Sequence, residues 1–428
     1  MSADLLATWF RTHTSILTGL DPDAPLDDLE PLREIIGDAR VVAVGEGAHF
    51  VREFTQVRQR VLRFLAERCG FTVLAFEFGF SEGLALDEWL RGDGDEADLA
   101  ALSGTTNAGM NPDMVRWLRR HNLTSAHPVR FVGVDTPVAG GQLRPALEPL
   151  AGYLLDVDRE ALGQVERAMA IADRFTGRSV AVAAPRWARL GAGEQDALTA
   201  SLTRLLLRFR ALEPLYVSRS DQHRYDVARR HLEAALHADY MFGAIRALFA
   251  GEGLPGDASV RDHYMARSLR WHLDRAEPGA RIVLAAHNQH IQKTPVCYGG
   301  ELAALPMGHY LSRMLGDGYR ALALTHTAGS VAEMHLDEKS EAGFTVAEEQ
   351  LAAPEPGSVE AALVDAGFGT AVSLTNLRHA PQGALDRIRS QSASVLTPMR
   401  EAFDGVITTP TATTSFSTSL GGAPFDQS

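Results

Sequence analysis

Several apolar runs in this sequence end in a carboxylate or an imidazole, and the set suits acyl transfer to water. Glu46 follows the run 40–45, with His49 three residues on. Glu77 follows 71–76 and Asp135 follows 129–134. His287 follows 281–286, with His290 three residues on, and a weaker run reaches His326. A histidine held by a carboxylate can take a proton from water as a general base. An arginine or protonated histidine can stabilise the oxyanion that forms at a carbonyl. The chemistry indicated is acyl transfer on an ester or lactone. Each residue also has a plainer reading. Glu46 could cap a helix, Asp135 could make an Asx-type turn before Pro137, and Glu77 could be a strand-end carboxylate satisfied by Arg58. The number of such residues is what favours function. His223, His231, His263 and His309 lie in helical or loop surroundings and read as structural.

Other chemistries lack their signatures. The chain has no Gly-x-Ser-x-Gly elbow, no phosphate-binding loop and no dinucleotide glycine fingerprint. His287-x-x-His290 with nearby carboxylates could hold zinc, but the spacing matches no standard metalloprotease pattern. The net charge of −13 disfavours a nucleic-acid or anionic-membrane surface. Two cysteines without a close-spaced framework fit a reducing compartment. No run approaches the roughly 18 apolar residues of a membrane span, and residues 1–7 do not read as a signal peptide. A cytoplasmic protein is expected.

The elements that must position these residues follow from the periodicity. Near-continuous apolar runs at 40–45, 71–76, 129–134 and 281–286, and weaker ones at 319–324, 370–374 and 405–408, alternate with helical patterns. That order predicts an α/β fold, with a mainly parallel sheet flanked by helices. Ligands of such sheets bind beyond the carboxyl ends of the strands, where the ionisable residues fall. Between 142 and 256 the strand signal disappears, and 159–175, 194–212 and 222–249 read as amphipathic helices. We expect a helical insertion over 142–256, capping the substrate pocket, within an α/β core of 1–141 and 257–428. A helix starts near Ser259, with Asp262 in a capping-box-like position, and Arg261 and Asp262 read first as helix-start residues. On the helix over 51–68, Arg58 falls in the apolar stripe of Val51, Phe54, Val61, Leu62 and Leu65. A core-facing arginine needs an anionic partner, and Glu46 and Glu77 are the candidates. The tail from about 410 to 428, rich in Thr, Ser and Gly, reads as loose at its end.

These residues also carry a family pattern. Gly45-Glu46-Gly47-Ala48-His49, Arg58, Ala75-Phe76-Glu77, Trp117 to Asn122, Val132 to Asp135, Arg261 to Ala266, Ala286 to Ile291 and Met307-Gly308 together resemble the erythromycin esterase family. The blocks occur in the family's order across about 40–330, with weaker similarity to near 410. The resemblance implies an α/β core with inserted helices, and an enzyme that opens macrolide lactones or acts on another bulky natural product. It implies Glu46, His49, Arg58, Glu77 and His287 as the essential residues, with His290, Asp135, Arg261 and Phe50 binding or supporting. His49 would activate water, with His287 and Arg58 polarising the carbonyl. It implies no cofactor and no obligatory metal, and a small-molecule partner rather than nucleic acid or membrane. Two departures bear on the substrate. Phe50 stands where the family usually has a small residue, and residues 407–414 diverge from its proline-and-arginine ending. A drier cleft beside Phe50 motivates the alternative of a biosynthetic, non-hydrolytic step, such as cyclisation, elimination or acyl transfer to an alcohol.

Overall fold

The computed structural model describes residues 3–103, 111–137, 141–298, 301–337 and 339–415. The tail expected to be loose lies outside the described residues beyond 415. An eight-stranded sheet organises the chain. Its strands are β1 (Thr14–Ile16), β2 (Val41–Val44), β3 (Phe71–Gly79), β4 (Arg130–Asp135), β5 (Arg281–Ala285), β6 (Tyr319–His326), β7 (Ser373–Asn376) and β8 (Gly405–Thr409). The spatial order is β1-β7-β8-β6-β2-β5-β3-β4. The six strands from β8 to β4 run parallel, and β7 and β1 add antiparallel at one edge.

Both faces of the sheet are covered, which is why its strands read as continuous apolar runs. Successive side chains point to opposite faces. Val42, Val44, Leu74, Phe76, Val283 and Ala285 pack with Phe54, Val57 and Val61 of α1 (Arg52–Cys69) on one face. Val41, Ala43, Val73, Ala75, Ile282 and Leu284 pack on the other face with Met265 and Leu269 of α7 (Ser259–Arg275) and Met307 and Leu311 of α8 (Met307–Leu315). Gly70 ends α1 in the left-handed region at φ 72°, and its N–H bonds Leu65 O.

Between β4 and β5 the described residues form helices and no strand. They include α3 (Arg144–Val157), α4 (Leu162–Ala172), α5 (Ala192–Ala211) and α6 (Gln222–Phe249). These bury a core of their own, including Leu147, Leu154, Val165, Leu202, Phe209, Tyr225 and Phe242. Tyr264 of α7 is buried in the same cluster, joining it to the helix that covers the sheet.

Some elements differ from the sequence reading. β3 continues past Phe76 to Gly79, through a register shift against β4, so Glu77 lies inside a strand. The expected Ser259–Asp262 cap does not form. The N-cap of α7 is Ala258, with no side-chain cap, and Ser259 Oγ accepts from Leu305 N instead. The hairpin Ser330–Leu336/Phe344–Gln350 and the shorter hairpin Arg387–Ser390/Ala393–Leu396 gave no clear signal in the sequence.

Candidate active site

Four neighbouring parallel strands deliver four ionisable residues to one edge. Across β2, β5, β3 and β4 these are, in order, Glu46, His287, Glu77 and Asp135. The chain can turn closely there because two glycines leave room. A Cβ on Gly45 would collide with the Asn288 side chain, and one on Gly47 would press on Leu324 O. Asn288 uses that space to accept from Leu324 N and donate to Leu324 O at 2.8 Å, which ties the turn after β5 to β6.

Glu46 is the hub of the first half. Its Oε1 lies 2.8 Å from His49 Nδ1, and its Oε2 accepts from Arg58 Nη1 at 2.8 Å. Glu46 therefore fixes the tautomer of His49, with Nδ1–H donating and Nε2 keeping the lone pair in the neutral ring. Arg58, 3% exposed, is the paired core arginine expected from its place in the apolar stripe. Its remaining donors go to Gly45 O at 3.1 Å and Ala286 O at 2.7 Å. Arg58 thus stands behind Glu46 with its donors committed. The guanidinium expected to help polarise a substrate carbonyl is enclosed by the carboxylate and the carbonyls that it bonds.

The second half is built around Glu77 and His290. Glu77 is partnered not by Arg58 but by Arg261 Nη2 at 3.1 Å, His290 Nε2 at 3.3 Å and the backbone N–H of His287 at 2.9 Å. Arg261 also chelates Asp135, Nη2 to Oδ2 at 2.5 Å and Nε to Oδ1 at 3.0 Å. His290 Nδ1 lies 2.7 Å from Asp262 Oδ1, which accepts the Met307 N–H at 2.8 Å as well. Arg261 and Asp262, first read as helix-start residues, are instead members of this network. Asp262 lies in the block Arg261 to Ala266, but its local signal pointed to a helix start rather than to His290.

The two halves meet at His49 and His287, whose ring centroids are 5.1 Å apart. His287 Nδ1 accepts the Gln289 N–H at 3.2 Å, so its proton sits on Nε2. Burial pushes the His287 pKa down to about 3, helped by the neighbouring His49 charge, and its ring is neutral. Burial also opposes protonation of His49, but the Glu46 hydrogen bond and the charges of Glu46 and Glu77 outweigh it and hold its pKa above the ordinary value. His290 behaves likewise. Burial lowers it, Asp262 and Glu77 more than compensate, and it is pushed up to about 10. Glu77 is held well below the carboxylate range, because His290, Arg261 and His49 overcome its burial.

Phe50, expected beside the presumed base, has its ring 6.3 Å from that of His49 and is half-buried. His326 does not join the crevice. It is fully buried against Phe54, at 5.5 Å between rings, and burial pushes its pKa down to about 3. Among the described residues no group of three or more His, Cys, Asp or Glu side chains is arranged to hold a metal ion. The site's carboxylates and imidazoles are instead turned on one another and on Arg58 and Arg261. Sequence reasoning missed Gln391, whose Oε1 accepts the His49 N–H at 2.8 Å from 342 residues away. Among the described residues no helix is long and apolar enough to cross a membrane.

The family model described as erythromycin esterase matches residues 66–419. Erythromycin esterase type II of Escherichia coli is 35% identical over 392 residues, which cover 90% of this chain and 92% of that protein. Erythromycin esterase type I of Escherichia coli is 34% identical over 403 residues, covering 94% and 97%. The solved structure of a mutant of the erythromycin esterase EreC in its open conformation superposes with a TM-score of 0.88 at 31% identity, over 94% of this chain and 98% of that one. A succinoglycan biosynthesis protein shares the fold, with a TM-score of 0.73 at 19% identity over 96% and 97% of the two chains.

Proposed function

Since this chain belongs to the erythromycin esterase family, we propose that it hydrolyses the ester of a bulky natural product, a macrolide lactone first among them, with water activated by His49 and no metal. The observation that carries the mechanism is the line Arg58–Glu46–His49, which gives one imidazole a fixed tautomer and a negative partner. In the proposed reaction His49 Nε2 takes a proton from water as its oxygen bonds to the carbonyl carbon. The negative charge passes to the carbonyl oxygen, where the Nε2–H of neutral His287 donates to it. As the oxyanion collapses, the C–O bond of the ester breaks, and the His49 proton passes to the departing alkoxide. One water is consumed, and a carboxylic acid and an alcohol are formed. Arg261 and His290, held by Glu77, Asp135 and Asp262, give the far side of the crevice fixed positive charge for polar groups of the substrate.

His49, Glu77, His290 and Arg261 each keep between 15% and 21% of the side-chain surface exposed, so water reaches the base. That favours hydrolysis over a non-hydrolytic step in a dry cleft. We read the helices over 142–256 as the cap that shapes the pocket, and the cytoplasm as the place of action. The test is incubation of chelator-treated protein with a panel of macrolides in oxygen-18 water, alongside His49→Ala and His287→Ala. A ring-opened product carrying one heavy oxygen and absent from both variants is the expected result. Turnover that placed no solvent oxygen in the product would refute hydrolysis.

A further inference from the structure

The turn that carries His49 is held from outside by a residue whose own backbone is strained to do it. Among the described residues only Phe50 (φ 60°) and Gln391 (φ 54°) adopt positive φ without being glycine. The left-handed region is costly for a residue with a Cβ and persists where surrounding contacts enforce it. Both residues lie at this turn. Gln391 caps the small hairpin Arg387–Ser390/Ala393–Leu396 and donates its N–H to Gly47 O at 2.7 Å. Its side chain then continues across the turn, with Oε1 accepting His49 N–H at 2.8 Å and Nε2 donating to Ala332 O at 2.7 Å. The amide orientation is fixed by its partners, because a flipped amide would set NH2 against an N–H and oxygen against a carbonyl. On the other side Ser415 N–H bonds Phe50 O at 2.6 Å, and Arg52 N–H bonds Thr413 O at 3.0 Å. The backbone from Gly47 to Arg52 is therefore gripped between two C-terminal segments.

We infer that Gln391 is a positioning residue for this enzyme, its side-chain amide setting where the His49 imidazole sits against Glu46. The inference rests on the reading of His49 as the base. A left-handed backbone suits glycine or asparagine better than glutamine. Glutamine at 391 is explained by its reach, since it bonds Gly47, His49 and Ala332 at once. The backbone contact alone would need only a glycine.

Glycine at 391 separates the two roles. Gln391→Gly keeps the N–H to Gly47 and removes the backbone strain, but deletes the grip on His49. The measurement is an NMR pH titration of the His49 imidazole in histidine-labelled protein, with thermal unfolding of each variant. In Gln391→Gly we expect His49 to titrate lower by about half a pH unit, a factor of about three in proton affinity, because the contact with Glu46 loosens. The unfolding temperature should not fall. Gln391→Glu, which restores an acceptor for the His49 N–H, should bring the titration back to the wild-type position or above it. An unchanged His49 titration in Gln391→Gly overturns the inference, as does a shift accompanied by a lowered unfolding temperature. His49→Ala that still hydrolyses a macrolide would instead sink the reading of His49 as base, while the titration would still report what Gln391 does.

Discussion

The imidazoles of His49 and His287 are neighbours at 5.1 Å, yet their surroundings drive their proton affinities apart. His287 is buried and His49 largely so, which alone would favour the neutral ring. His49 escapes that fate because Glu46 bonds its ring nitrogen directly. His287 does not, because Glu77 bonds its backbone N–H rather than its ring. One ring is thereby suited to accept a proton, and the other to stay neutral and donate a hydrogen bond.

The pH dependence of kcat/KM tells these two apart. A base must be deprotonated, and His49 titrates above its ordinary value of 6.5. Activity should therefore rise with pH and reach its plateau only above about neutrality. At the alkaline end it should fall as His290 loses its proton near 10. A plateau already complete by about pH 5 would assign the base to His287 instead.

Glu46→Gln preserves the shape of the hub and removes its charge. We expect kcat to drop about 10³-fold, the scale on which an uncharged partner disables a catalytic histidine. The acid limb of the profile should shift to lower pH, since the main cause of the raised His49 pKa is gone. Arg58, left without its counter-charge in the core, should cost about 3 kcal/mol of stability. Steady-state kinetics and urea unfolding report the two effects separately, and an unchanged kcat would dismiss Glu46 from the mechanism.

The His290 network makes a stability prediction with a definite sign. Its folded pKa of about 10 exceeds the ordinary 6.5, so its contribution is full below 6.5 and is lost as pH rises through about 10. Asp262→Asn removes the negative charge bonded to Nδ1. The variant should be less stable than wild type by about 3 kcal/mol near pH 7, with the gap narrowing above about pH 10. Urea unfolding of both proteins at the two pH values measures it. A pH-independent gap would mean that Asp262 acts through Met307 N–H alone.

Gly45→Ala tests the close packing behind the turn. The added methyl would displace the Asn288 side chain and break its two bonds to Leu324. We expect a loss of about 2–3 kcal/mol, from overpacking and two buried bonds, together with slower turnover as His287 shifts beside Asn288. Full stability in the variant would show that the turn can relax around the methyl.

Much of this was legible in the sequence, for physical reasons. Strands buried on both faces must be apolar along most of their length, so the first polar residue falls near the end of each, although β3 runs on past Glu77 to Gly79. Parallel strands place those ends on one edge, which is why Glu46, Asp135 and His287 could be expected together. Arg58 announced itself as a charge in an apolar stripe. The pairing was not legible, because it depends on lateral strand order and on contacts between distant segments. The sheet sets β5 between β2 and β3. That placement gives Glu46 to Arg58 and leaves Glu77 to Arg261, 184 residues away. Gln391 had no local signature and that of Asp262 pointed to a helix start, since a helical aspartate and a hairpin glutamine look alike with or without an imidazole beside them. By itself the sequence determined which residues reach the edge of the sheet, because periodicity and burial are local properties of the chain. Only the tertiary structure decided which of them share a proton or a charge, because that is a matter of a few ångströms between segments hundreds of residues apart.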